Sequence, residues 1–184
     1  PGDREKEAFP DYLLTFGEYW NNIEYPIPDE KVIVTGYPYF DMMKKKFEDV
    51  EEKNQILFIS QGTIGEKLSQ FAVELSKQIE DYEIVYKLHP GEFSNWQERY
   101  PWLEESEIEV LTNEKQLYQL FAESKIQVGV YSTAIYEGLG FNLKTFLVDL
   151  PGIETMERLL DKKYCRKINS AEELMENMED ERDP

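Results

Sequence analysis

The sequence predicts an α/β fold of the Rossmann-like type, with three layers, α/β/α, around a parallel sheet. From about residue 30 onward, short runs rich in β-branched and aromatic residues alternate with longer amphipathic stretches. The short runs are apolar almost throughout, as in strands that are buried on both faces of a parallel sheet. Right-handed crossovers between such strands place helices on both faces of the sheet.

The first elements follow one another closely along the chain. Residues 31–35 (KVIVT) are a β-branched run before a Gly-Tyr-Pro turn, which predicts a strand, and residues 40–50 predict a helix. Residues 55–60 (QILFIS) are a nearly continuous apolar strand that ends in a glycine-containing loop. Apolar side chains recur every three or four residues over 66–81, which indicates a helix, and residues 83–88 (EIVYKL) are the next strand.

The same alternation continues to the end of the chain. A short helix over residues 93–100 is expected to stop at Pro101, because proline lacks the amide hydrogen that a helix interior requires. Each later strand is a β-branched or aromatic run, and each later helix carries its apolar residues on one side. The later strands are expected at residues 107–111, 126–131, 144–149 and 164–168, and the later helices at 114–123, 132–141, 153–160 and 171–179.

Composition and charge exclude several classes of function. The chain has 184 residues, enough for one domain with a substantial core, and a formal net charge of −18. This charge disfavours binding to nucleic acid, which needs clustered lysine and arginine. Only one cysteine, Cys165, is present, so we expect no internal disulfide and interpret Cys165 as a buried structural thiol. Histidine and cysteine are too few for a zinc cluster, and no apolar run is long enough for a membrane span.

Three regions are expected along the chain. Residues 1–30 are interpreted as an inter-domain connection or N-terminal extension, in which the aromatic cluster of residues 12–20 indicates packing. Residues 31–168 form the Rossmann-like domain, and residues 169–184 an acidic C-terminal helix or tail. The charged, proline-rich start without methionine suggests a fragment of a longer protein.

Candidate site residues lie in loops that follow predicted strands, where ligands bind in sheets of this kind. The loop after residues 55–60 contains Gly62 and Thr63, whose backbone amides could face an anion at the start of a helix. It lacks the glycine spacing of the dinucleotide-binding fingerprint. Taken alone, the loop also fits an ordinary tight turn between a strand and a helix.

The second candidate is the stretch Lys87-Leu-His89-Pro90, which contains the only histidine of the chain. Strand alternation places Lys87 and His89 on one side, and Pro90 holds His89 in an extended conformation. Histidine at this position can hydrogen-bond a phosphate or transfer a proton. The ordinary alternative is a surface histidine in a turn, with Lys87 in a salt bridge.

The third candidate is the stretch that begins at Tyr131. Ser132 or Thr133 is expected to cap the next helix, and the same hydroxyls and amides form an anion site. Glu137 lies four residues after Thr133, so both share one helix face, and Glu137 could accept hydrogen bonds from a ribose diol. The ordinary alternative is a helix cap and a solvated glutamate. Together the three loops suit a nucleotide with phosphate and ribose. They do not suit a hydrolase, since they offer neither a second histidine nor an Asp-His pair from which a triad could be built.

These motifs resemble those of the C-terminal, nucleotide-sugar-binding half of GT-B glycosyltransferases. The resemblance is to capsule-polysaccharide glycosyltransferases, bacterial sialyl- and polysialyltransferases and CDP-glycerol glycerophosphotransferases. It covers residues 9–160 and includes the His89-Pro90 motif, the Ser132-Thr133 motif and a Gly-x-Pro-x-x-Asp element at residues 36–41.

The resemblance implies a donor domain for synthesis of cell-surface or capsular polysaccharide. His89 would contact the donor phosphate and assist leaving-group departure, Ser132 and Thr133 would bind phosphate, and Glu137 would hold the ribose. We expect no cofactor and no metal ion, a nucleotide-sugar donor as partner, and an N-terminal domain outside this chain that carries the acceptor site and the base. The isolated fragment is then expected to be inactive.

The resemblance also implies a cytoplasmic location, at the inner face of the cell membrane for the full-length protein, with any membrane association through the part outside this chain. Two alternatives stay open. One is a UDP-N-acetylglucosamine 2-epimerase-like domain, although Thr133-Ala134 stand where those enzymes tend to have a glycine pair. The other is a Rossmann-like interaction domain without enzymatic activity.

Overall fold

The computed structural model of the chain describes residues 10–22 and 27–178. The chain divides into two compact units, residues 1–45 and residues 46–184. The first unit holds a two-stranded parallel sheet, in which β1 (Leu13–Thr15) pairs with β2 (Val32–Val34), and the helix α1 begins there (Pro38–Lys46).

The strand predicted at residues 31–35 forms as β2, but its position in the sheet differs from the prediction. Its partner is β1, in the separate two-stranded sheet, and it is not part of the large sheet. The sequence did not indicate β1, because Leu13–Thr15 lies in the aromatic cluster of residues 12–20, which was interpreted as packing. In the same unit the ring of Phe16 stacks on Tyr37 with 4.6 Å between centroids, while Phe16 and Tyr12 each keep 59% of their surface exposed.

The second unit is built on a six-stranded sheet in which every neighbouring pair is parallel. Its strands are β3 (Gln55–Ile59), β4 (Glu83–Lys87), β5 (Glu109–Leu111), β6 (Ile126–Gly129), β7 (Lys144–Val148) and β8 (Arg166–Ile168). Their spatial order is β5-β4-β3-β6-β7-β8, so the chain adds three strands in one direction and three in the other. The strand order reverses between β3 and β6, and in doubly wound sheets this reversal marks the ligand crevice.

Helices cover both faces of this sheet, as the sequence predicts. They are α2 (Gly65–Ser76), α3 (Trp96–Arg99), α4 (Pro101–Glu104), α5 (Leu117–Glu123), α6 (Thr133–Gly140), α7 (Glu157–Asp161) and α8 (Ala171–Met178). The apolar stripe of α2 packs with α4 and α8 in one core cluster, on the face to which Ile56 and Phe58 of β3 point. The other face receives α6, whose Ile135 carbonyl accepts a hydrogen bond from the buried Gln127 of β6. All five residues of β3 are buried, which explains why its sequence is apolar from Ile56 to Ile59.

The segment after the His-Pro-Gly turn differs from the prediction. Pro101 was expected only to end a helix. In the structure it is the first residue of a second short helix, α4. Proline is well suited to this position, since the first helical residue has no intrahelical partner for its amide and proline already holds the required φ. The segment 153–160 likewise begins as a 3-10 turn, Ile153–Met156, before α7.

Candidate functional site

The loop after β3 runs from Ser60 to Ile64 and leads into α2. The Arg99 guanidinium donates a hydrogen bond to the carbonyl of Gly62 at 2.7 Å, which fixes the outer part of the loop. The hydroxyl of Thr63 shares a hydrogen bond with the hydroxyl of Tyr131, from the loop after β6. The two loops on either side of the strand reversal are therefore joined directly, and Thr63 stays exposed at their junction.

His89 lies at the carboxyl end of β4 as the residue that caps a 3-10 turn, Pro90–Glu92. Its backbone is extended, with φ −70° and ψ 144°, as the following proline requires. The Nδ1 atom accepts a hydrogen bond from the amide of Gly91 at 3.1 Å. An accepting Nδ1 leaves the ring proton on Nε2, so the exposed His89 side chain presents an N–H donor on its far side.

Glu92 is a residue of this region that the sequence reasoning missed. It is 0% exposed, and its carboxylate accepts hydrogen bonds from the amide of His89 at 2.8 Å and from the hydroxyls of Ser60 and Tyr100 at 3.0 and 2.6 Å. A signal was available, because His89-Pro-Gly-Glu92 has the four-residue spacing of a capping box with histidine in the cap position.

Lys87 is directed toward the neighbouring outer strand. Its ammonium donates to the carbonyl of Thr112, in the loop after β5, and lies 5.7 Å from the ring centroid of Phe93. Burial lowers the pKa of Lys87, and the nearby carboxylate of Glu114 partly opposes this effect. The side-chain hydrogen bond of Lys87 is therefore directed to the β5 side of β4, and the loop that carries Thr63 follows β3 on the other side.

The loop after β6 leads into α6, so the N-terminus of α6 lies where the strand order reverses, between β3 and β6. Ser132 caps this helix, since its Oγ accepts a hydrogen bond from the amide of Ala134 at 3.2 Å. An oxygen that accepts this bond still has its hydroxyl hydrogen for donation. Thr133 is the first residue of α6 and is exposed. The first turn of an α-helix also presents amide groups without intrahelical partners and the positive end of the helix dipole.

Glu137 lies one turn further along α6 and is half-buried. The hydroxyl of Tyr118, on α5, donates a hydrogen bond to its carboxylate. Tyr118 is itself held edge-on against Phe121 with 6.0 Å between ring centroids. Glu137 is therefore anchored by one oxygen, and its carboxylate has further acceptor capacity.

Two links bring the three candidate loops into one site at the carboxyl edge of the sheet. Glu92 joins the loops after β3 and β4 through Ser60 and His89, and the Thr63–Tyr131 pair joins those after β3 and β6. The joined loops combine an imidazole N–H donor, hydroxyls and the N-terminus of α6. Such an edge can bind an anionic group through neutral donors and a helix dipole.

A groove of about 910 Å³ lies at the opposite, amino edge of the sheet, between residues 53–54, 76–77, 79–85 and 107–109. Its four glutamates and one aspartate outnumber its two lysines, Lys53 and Lys77, and this net negative charge disfavours an anionic ligand. Cys165 is buried, as expected, and burial raises the pKa of its thiol to about 12.

Within residues 10–22 and 27–178, the part of the chain that the structure describes, no group of three or more histidine, cysteine, aspartate or glutamate side chains is arranged to hold a metal ion. No helix within it combines the length and the apolar composition that crossing a membrane requires.

Comparison with known proteins gives similarity in structure alone. No family model matches the sequence, and no curated protein matches it. Among solved structures, the wall teichoic acid polymerase TagF, in a variant soaked with CDPG, is 19% identical with a TM-score of 0.51 over 80% of this chain and 40% of TagF.

A second similar structure is an epimerase. The UDP-GlcNAc 2-epimerase from Methanocaldococcus jannaschii is 13% identical with a TM-score of 0.60, over 94% of this chain and 56% of the enzyme. Its complex with UDP-GlcNAc and UDP has a TM-score of 0.59 at 13% identity, over 90% of this chain and 52% of that one.

At these identities the similarity concerns the fold. The chain spans 40% of TagF and 56% of the epimerase. The predicted fold class, a Rossmann-like α/β/α domain with a parallel sheet, is confirmed. This architecture is also consistent with one Rossmann-like half of a GT-B fold, as the resemblance implied.

Proposed function

We propose that this chain is the donor-binding domain of a glycosyltransferase that takes a nucleotide-sugar in the synthesis of a cell-surface or capsular polysaccharide. The observation that carries the proposal is the set of joined loops at the strand reversal. They hold the Nε2–H of His89, the capped N-terminus of α6 at Ser132 and, one turn along α6, the carboxylate of Glu137. The fold shared with TagF, in a structure soaked with CDPG, also supports it.

Each group has a role that its geometry allows. The donor phosphate lies at the N-terminus of α6, where amides and the hydroxyls of Ser132 and Thr133 donate hydrogen bonds. Gly62 and Thr63 border the phosphate from the loop after β3, and Glu137 accepts from ribose hydroxyls. The ammonium of Lys87 donates its hydrogen bond to the Thr112 carbonyl, so its charge offsets that of the phosphate from further away than the hydroxyls of Ser132 and Thr133.

The proposed reaction breaks the bond between the anomeric carbon and the phosphate oxygen. The electron pair of that bond stays on the leaving phosphate, whose growing negative charge the donors of His89 and Ser132 stabilise. His89, positioned by Pro90, can also transfer its Nε2 proton to the leaving oxygen. The acceptor oxygen forms the new bond and loses its proton to a base that we place outside this chain.

The proposal is tested by calorimetric titration of the chain with CMP, CDP, UDP and GDP. We expect weak binding of at least one nucleotide, and the isolated chain should transfer little or no sugar. Ser132→Ala should weaken this binding by about tenfold, because one donor to a charged group is lost. The proposal requires no metal ion, so EDTA should leave the affinity unchanged.

Ser170→Ala is the matched control. Ser170 accepts a hydrogen bond from the amide of Glu173 at 3.2 Å, in the first turn of α8, so this change also removes a helix cap. Both variants should lose about 1 kcal/mol of stability, and only Ser132→Ala should lose affinity. Equal affinity of the two variants, or no binding of any nucleotide by the unaltered chain, contradicts the proposal.

A second candidate function is 2-epimerisation of a UDP-sugar. It is favoured by the similarity of fold to the M. jannaschii epimerase, which extends over 94% of this chain. The two functions use the same nucleotide site and differ in the need for an acceptor. Incubation of the full-length protein with UDP-N-acetylglucosamine alone separates them, since an epimerase forms the epimeric sugar nucleotide without any acceptor.

A further inference from the structure

The carboxylate of Glu92 is the most deeply buried acidic group at the edge of the sheet that holds the candidate site. No part of its surface is exposed, and both of its oxygens accept hydrogen bonds. Burying a carboxylate is costly unless hydrogen bonds replace the lost water. The hydrogen bonds that Glu92 accepts therefore indicate which parts of the site this residue stabilises.

One oxygen of Glu92 organises the loop after β3. Its Oε1 accepts from the hydroxyls of Ser60 and Tyr100, and Ser60 in turn accepts from the hydroxyl of Tyr86 at 3.1 Å. The backbone of Gly65 packs directly on this group, because a Cβ at that position would overlap both Glu92 and the Tyr100 hydroxyl. Burial and the hydrogen bond to Glu92 raise the pKa of Tyr100, so its hydroxyl remains a donor.

The other oxygen of Glu92 organises His89. Its Oε2 accepts from the His89 amide at 2.8 Å and closes the 3-10 turn, Pro90–Glu92. The same turn directs the amide of Gly91 at the His89 Nδ1. The ring is exposed, so this short chain of hydrogen bonds, and not burial, determines which nitrogen carries the proton.

We propose that Glu92 is the positioning residue of this site. It holds the turn in which Gly91 fixes His89 as the Nε2–H tautomer, and it joins that turn to the loop that carries Gly62 and Thr63. Glu92 does not touch the ligand. The inference rests on the proposed function for its effect on nucleotide binding, whereas the effect on the His89 ring is independent of it.

The test is a nitrogen-15 NMR spectrum of the imidazole together with hydrogen exchange of the His89 amide. His89 is the only histidine, so the ring signals need no assignment by mutation. We expect the unaltered chain to show mainly the Nε2–H tautomer and a protected amide. Glu92→Met should give a mixture of tautomers, amide exchange at least about tenfold faster, and nucleotide affinity about tenfold lower.

Glu123→Met is the matched control, because it removes another buried carboxylate of the same unit. Glu123 is 6% exposed, and its Oε2 lies 3.6 Å from the Nζ of Lys53 and 3.5 Å from the Nζ of Lys115. Lys53 precedes β3, so this group is at the amino edge of the sheet. It should lose stability but leave the His89 ring signals and the affinity within about twofold of the unaltered chain. Glu92→Gln keeps an acceptor for the His89 amide and should largely restore the Nε2–H tautomer.

If Glu92→Met does not fold, the same measurements are made on the double variant Glu92→Met, Tyr100→Phe. This variant also removes the Tyr100 hydroxyl, which would be left without an acceptor. Unchanged ring signals and unchanged amide exchange in either folded variant overturn the inference. A changed ring in a chain that binds no nucleotide supports the positioning role of Glu92 and contradicts only the proposed function. The two ideas can therefore fail separately.

Discussion

At the scale of single residues, the amide of Gly91 and the carboxylate of Glu92 together determine the conformation and the tautomer of His89. The place of His89 after an apolar strand and before Pro90 followed from local rules. The choice of Nε2–H depends on the amide of Gly91, and that geometry exists only once the 3-10 turn has formed. Glu92 was missed because a glutamate in a polar turn is usually solvated, and only its burial by Tyr100 and the first turn of α2 distinguishes it.

Glu137 makes a prediction at the same scale. If its carboxylate accepts hydrogen bonds from the ribose, Glu137→Gln should weaken binding of a ribonucleotide by about tenfold, because hydrogen bonds to a charged acceptor are lost. The unaltered chain should bind the matching 2′-deoxyribonucleotide more weakly than the ribonucleotide. Calorimetry with both ligands and both proteins forms a double-mutant cycle.

The cycle has a clear internal control. Glu137→Gln should add little to the loss that removal of the 2′-hydroxyl already causes, since the two changes break the same contact. Fully additive losses mean that Glu137 does not accept a hydrogen bond from the 2′-hydroxyl, and that outcome contradicts this contact.

At the scale of elements, α6 shows which part of a helix can be predicted from sequence. Ser132 was recognised as a possible cap because serine favours this position, and the structure confirms it. The close approach of α6 to the sheet was not predicted, since it depends on contacts between distant segments. Gly138 packs on the side chain of Gln127, and a Cβ there would overlap that amide.

Gly138 is therefore expected to be essential for the placement of α6. Gly138→Ala should destabilise the second unit by about 1–2 kcal/mol, because the gain in helix propensity is smaller than the cost of the overlap. Gly62→Ala is the control for stability, since a Cβ at Gly62 meets only ordinary contacts at 3.8 and 3.9 Å. Urea unfolding followed by circular dichroism measures both, and equal stability of the two variants contradicts the packing argument.

At the scale of the whole molecule, alternation of strands and helices was enough to predict the fold class. The strand order was not deduced from the sequence, because no local signal states which strands become neighbours. The direction of Lys87 illustrates the same limit, since alternation gives the side of a strand but not the neighbouring loop that a long side chain reaches. The candidate site depends on the strand order. Because β3 and β6 are neighbours in the sheet, the loops that follow them meet although they are about 70 residues apart in the sequence.

The proposed function requires a nucleotide to bind at the carboxyl edge of the sheet, around the loops after β3, β4 and β6. A map of amide chemical-shift changes during titration with CDP or UDP tests this requirement. We predict saturating shifts in three segments, residues 60–64, 88–92 and 131–134. Shifts confined to the groove at the amino edge, around residues 53–54, 79–85 and 107–109, contradict it, as does a map without shifts for any nucleotide.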